Sequence, residues 1–224
     1  MINKYRINLF FVFALIVLLL SCRNNNLEEK SINTPARDFL LDGEAESDDY
    51  TIHGYILLSS KLDNSQRYLK ICESYLRHFD PVSDFKGDNP SINLIPTYWL
   101  LNSDARVAVD AFGSQILLQM TCNEYVELYD YPRAKTLLSK AKKLSANGPV
   151  LAAWSTRGIS HKLLTFDISN FDENDSDRAM LIWKERITMN PNVWNNGLKL
   201  VIVREELRSF LQKYGDEIIS VISV

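Results

Sequence analysis

The segment from Tyr50 to Val224 predicts a single layered α/β domain, a short sheet of about four strands with helices packed on it. Three observations carry that expectation. Short runs rich in β-branched and aromatic residues alternate with longer stretches whose apolar residues repeat at helical spacing. Strong stops separate them: Asp80-Pro81, Asn147-Gly148-Pro149 and Asn190-Pro191-Asn192. The length, about 175 residues, suits one domain with a full core.

Taken in order, Tyr50 to Ser60 reads as a buried strand ending in polar turn formers. Asp63 or Ser65 can then cap a helix over Gln66 to Phe79, whose apolar face is Tyr68, Leu69, Cys72, Tyr75, Leu76 and Phe79. Ile92 to Leu101 has strand composition, and Pro96 within it argues for an edge or a bulge because proline has no N–H for the ladder. Asp104 to Gly113 fits either a short helix or a loop. Ser114 to Tyr129 reads as a helix. A further one runs from Arg133 to Leu144, with Asp130 as cap and Pro132 in its first turn. Val150 to Ser155 and Lys162 to Ile168 are strand candidates. Helices follow over Asp177 to Met189 and Leu198 to Tyr214, and Asp216 to Val224 suits helix or strand.

A rival organisation is an all-α helical repeat. Tyr125 with Ala134-x-x-x-Leu138-x-x-Ala141 resembles the second half of a tetratricopeptide repeat, where small residues let paired helices approach. The likeness covers about twenty residues, fewer than the roughly three stacked repeats a solenoid needs.

Ahead of this domain, the chain opens with Lys4 and Arg6 and no acid, followed by unbroken apolar sequence from Leu9 to Leu20. That run suits a secretory h-region and is short of the ~20 residues that span a bilayer. With Leu19-Leu20-Ser21-Cys22 at its end, the segment resembles a bacterial lipoprotein signal peptide. The resemblance implies cleavage before Cys22, lipidation of its sulfur, and anchorage to the cell membrane. Arg23 after the cysteine resembles the outer-membrane sorting pattern, facing the periplasm, should the host be Gram-negative. Residues 1–21 are then the signal peptide, the acidic and polar stretch 22–49 a tether poor in large apolar groups, and 50–224 the folded domain.

Loss of residues 1–21 takes Lys4 and Arg6 with it and moves the formal net charge from −3 to −5. Such a surface has no clustered basic footprint for nucleic acid. With Cys22 assigned to lipid, Cys72 and Cys122 remain. In an oxidising compartment they can form a disulfide; otherwise they are two buried thiols.

Chemistry-bearing motifs are thin. His53, His78 and His161 have no zinc spacing, so neither a metal site nor any cofactor is expected. Ser139-x-x-Lys142 lacks the partner motifs of penicillin-binding proteins. The acidic run Asp167 to Asp177 contains no glycine and suits a helix N-terminus better than a calcium loop. Tyr98, Trp99, Trp183 and Trp194 suit a core better than a groove. No catalytic residue is assigned. The expected role is a lipid-anchored envelope module that binds a protein or envelope component without catalysing a reaction. Alternatives are an envelope hydrolase with a dispersed site such as Asp167, His53 and Asp104, or an immunity-type inhibitor.

Overall fold

A computed structural model describes residues 32–60, 65–85, 92–142, 148–155, 162–194 and 197–223. Cys22, the signal peptide and His161 lie outside them. Six described strands form one open sheet in the order β1-β3-β2-β4-β5-β6. They are β1 (Ile32–Leu41), β2 (Ile52–Leu57), β3 (Ile92–Leu101), β4 (Val150–Ser155), β5 (Lys162–Asp167) and β6 (Ile219–Ser223). β1 and β2 flank β3 in parallel, and β4, β5 and β6 extend the sheet antiparallel. The helices are α1 (Ser65–His78), α2 (Ser103–Phe112), α3 (Gln115–Gln119), α4 (Cys122–Glu127), α5 (Tyr131–Lys140), α6 (Glu173–Ile182), α7 (Pro191–Trp194), α8 (Leu200–Glu206) and α9 (Arg208–Tyr214). The α/β expectation therefore holds and the helical repeat does not. Ala134, Leu138 and Ala141 are buried in the core of a sheet-based domain, with no stacked repeat beside them.

The strand register sorts the core into two layers, because residues paired across the sheet point to the same face and neighbours in sequence point to opposite faces. Arg37, Thr97, Gly54 and Ala153 share one face with Phe39, Trp99, Ile56 and Phe166. The helices cover that face. Tyr75 of α1 stacks on Trp99 with ring centroids 5.8 Å apart, and Tyr125 of α4 stacks on Phe39 at 4.8 Å. Phe210 of α9 lies 5.8 Å from Phe166, and Trp183 beyond α6 lies 6.4 Å from it. Gly54 belongs here because a Cβ would stand 2.7 Å from Thr97 Oγ1 on the neighbouring strand. The opposite face carries Tyr98, Tyr55, His53, Trp154 and Thr165 and is crossed by the 42–51 connection.

The sheet holds six described strands instead of about four, with β1 and β6 the additions, and the helix expected over Leu198–Tyr214 is divided at Leu207 into α8 and α9. Four differences have identifiable reasons. Residues 32–41, expected within the tether, form β1, and burial of Ala36, Leu40 and Leu41 stabilises it. Arg37 looks like a solvated charge in sequence. Its Nη1 instead donates to the carbonyls of Leu76 (2.7 Å) and Phe79 (2.6 Å), and its N–H to Asp80 (2.8 Å), closing the end of α1. Pro96 sits in the interior strand β3, where pairing with β2 begins only at Thr97, so that side has no ladder for proline to interrupt. The stretch 114–129 is two helices, because Thr121 and Glu124 form a reciprocal capping box that starts α4. α6 begins at Glu173, with Asp172 accepting the Asp175 N–H at 2.8 Å. It continues into a π turn over Trp183–Thr188, whose carbonyls take bonds from Thr188 Oγ1 and Trp194 Nε1.

Tyr75 joins helix layer to sheet. Its buried hydroxyl accepts the Asp38 N–H (3.1 Å) and lies 2.5 Å from the Thr97 carbonyl, bridging β1 and β3. Tyr75→Phe orphans those groups in the interior. We expect a loss of about 1–3 kcal/mol, read as a lower urea midpoint at unchanged slope.

Candidate functional site

Three places bring polar or exposed groups together in ways that bear on function. The first joins α1 to α6. Asp177 Oδ1 accepts from Ser74 Oγ at 2.6 Å and lies 3.0 Å from His78 Nε2 and 3.2 Å from Arg77 Nη1. Serine, histidine and aspartate meet here, but nucleophilic catalysis needs histidine between the other two, taking the serine proton. Here both contact the same carboxylate oxygen, an arrangement that fastens two helices. Burial raises the Asp177 pKa, and the bonds from Ser74 and His78 with the Arg77 charge more than reverse it, leaving it below the usual value.

The second lies on the sheet face crossed by the 42–51 connection, a strap over Tyr55 and Tyr98. Tyr55 donates to Glu46 Oε1 at 2.5 Å, its ring stacked 4.1 Å from Trp154, and burial with the Glu46 bond pushes its pKa far up. Arg133 of α5 holds the strap by donating to the carbonyls of Leu41 (3.2 Å) and Glu44 (2.9 Å), and Arg106 of α2 pairs with Glu44 at 3.1 Å. His53 is buried beneath, 6.0 Å from the Tyr98 ring and 6.5 Å from Trp154, with Nδ1 unpartnered. Burial lowers its pKa, against the Glu46 and Asp48 charges and the Tyr50 carbonyl, which raise it.

The third is the excursion between β3 and α4. Asn102 caps α2 by accepting from the N–H groups of Asp104 and Ala105, and Gly113, at φ 82°, turns the chain into α3. The helical pair holds to the domain through buried Ala105 and Leu117. Val107 (66% exposed), Phe112 (76%) and Leu118 (48%) face solvent, three of the five large apolar residues so exposed among the described ones.

The remaining sequence candidates fall elsewhere. His53 and Asp167 sit at opposite ends of the sheet, because β2 starts where β4 ends and Asp167 pairs with Val150 at its start. Asp104 is exposed in the first turn of α2. These three do not converge. Within the acidic run the carboxylates are engaged inside the fold: Asp167 accepts from Ser169, Asp172 caps α6, and Lys213 bridges Asp172 (3.3 Å) and Asp175 (2.5 Å), the latter also taking Tyr214 at 2.5 Å. Lys142 leaves the helix with φ 53°, so Ser139-x-x-Lys142 does not share a helical face. Trp99, Trp183 and Trp194 are core. Cys72 of α1 and Cys122 of α4 are at disulfide distance, Sγ–Sγ 2.07 Å and Cα–Cα 5.6 Å. No described helix is long and apolar enough to cross a membrane.

His53 sets an acid-side expectation. Its folded pKa is depressed, so the unfolded chain binds the extra proton first, and stability falls as pH drops below about 6.5 toward the folded value. His53→Leu removes that proton uptake and the orphaned nitrogen together. Its urea midpoint should therefore decline less than that of the natural chain between about pH 6.5 and 5. Cys122→Ser should cost about 3–4 kcal/mol in the same assay, since the 50-residue separation closes a large loop in the unfolded chain.

Comparison with protein-family models, curated proteins and solved structures finds no match.

Proposed function

We propose that this chain is a cell-envelope lipoprotein whose folded domain is a binding module, held at the membrane through acylated Cys22. The observation that carries the reading is the agreement of two independent cysteine signals. Cys22 follows a charged n-region and an apolar h-region in lipobox context. Cys72 and Cys122 stand at bonding distance between α1 and α4, a pairing that persists in oxidising compartments. Buried methylenes contribute about 0.8 kcal/mol each, so several acyl chains make anchorage effectively permanent.

Ile32, the first residue of β1, lies ten residues after Cys22, so the chain between them spans at most ~35 Å. An exposed apolar hairpin, together with polar clusters that fasten one element to another, favours binding over catalysis.

Labelled palmitate should enter the full chain and be lost in Cys22→Ala. Thiol alkylation under denaturing, non-reducing conditions should leave Cys72 and Cys122 unmodified. A wild-type chain that takes no label and retains its leader overturns the anchor. Free reactive thiols at both positions overturn the compartment.

A further inference from the structure

We infer that the α2–α3 hairpin is the module's contact surface and that it receives a basic, amphipathic segment of a partner protein; this rests on the binding reading above. Three features of the hairpin lead there. Along α2, Ala105, Val109 and Phe112 fall on one helical stripe, since three- and four-residue steps return to the same face. Burial fades along that stripe, from Ala105 fully buried, through half-buried Val109, to Phe112 at 76% exposed. The apolar face thus runs past the edge of the domain and ends on a bare aromatic ring. Val107 and Leu118 add apolar surface within the same short excursion, where a solvated helical pair would carry polar residues.

An anionic lipid surface is disfavoured as the occupant, because the exposed acids of the hairpin, Asp104 and Asp110, would be repelled by it.

Charge selects among the other occupants. From Ser103 to Glu127 the acids are Asp104, Asp110, Glu124 and Glu127, all exposed, and the single base is Arg106. Arg106 is turned inward to Glu44 and the Asp42 carbonyl. Asp104 and Asp110 flank Val107 one helical turn to either side. An apolar centre with an acidic rim suits a partner of the opposite pattern, lysine or arginine around an aliphatic anchor. A second copy would set acid against acid.

The test uses the full chain in neutral phosphatidylcholine nanodiscs, titrated with a fluorescent helical peptide of leucine and lysine about 18 residues long, empty nanodiscs serving as the blank. We expect saturable binding that weakens with salt and falls about tenfold, some 1.4 kcal/mol, in Phe112→Ser and in Asp104→Asn/Asp110→Asn. Met189→Ser, exposed elsewhere, should bind like the natural chain. Equal affinity in all variants overturns the inference. So does hydrogen-exchange protection of the hairpin by anionic vesicles, or a dimer that Phe112→Ser dissociates. Palmitate label on the same preparations separates the two claims. Label without hairpin-dependent binding sinks only the contact surface, and binding without label sinks only the anchor.

Discussion

Parallel pairing of β1, β3 and β2 is the constraint from which the rest of the structure follows. Parallel ladders require crossovers between their strands and both faces covered, because their strands are apolar on both sides. The first crossover, residues 42–51, is a strap without regular structure laid over the Tyr55 and Tyr98 face. The second is α1, laid over the Trp99 face. Among the later elements, β4, β5 and β6 widen the sheet and several helices complete the covers. α4, α6 and α9 extend the helical layer, and α5 clamps the strap through Arg133.

The polar groups serve the same requirement. Backbone and side-chain polar atoms taken out of water need partners, and here those partners lie across element boundaries. Arg37 ends α1 from a neighbouring strand, Asp177 ties α6 to α1, and Glu46 secures the strap to Tyr55. Arg67 donates to the Phe171 carbonyl at 2.7 Å, holding the start of α1 to the loop before α6. Groups that resemble catalytic residues in composition are joints in this architecture. Ser74, His78 and Arg77 all meet the same Asp177 oxygen, and Tyr55 meets Glu46. The hairpin is the exception, contributing apolar surface that the fold does not bury.

Much of the architecture was legible in sequence. β2, β3, β4 and β5, the α1 face of Tyr68, Cys72, Tyr75 and Phe79, and the Asp130 cap of α5 follow from local pattern and turn chemistry, which act over a few residues. β1 was not legible. Pro35, Arg37 and Asp38 break its apolar pattern, and its stability comes from the β3 ladder and the end of α1, partners about forty to sixty positions away. The divided 114–129 helix was marked by Thr121 and Glu124, a capping signal that sits inside a continuous apolar period. The hairpin was hidden for a different reason: Val107, Phe112 and Leu118 look like core residues until the end of the sheet leaves them uncovered.

The amino-acid order alone determined the α/β class and the order of its central elements, since each depends on nearest neighbours in the chain. Tertiary structure decided that Cys72 and Cys122 stand at bonding distance, which charges are structural, that residues 32–41 join the sheet and which apolar residues stay outside. Those outcomes depend on contacts between segments fifty or a hundred residues apart, and no local pattern encodes them.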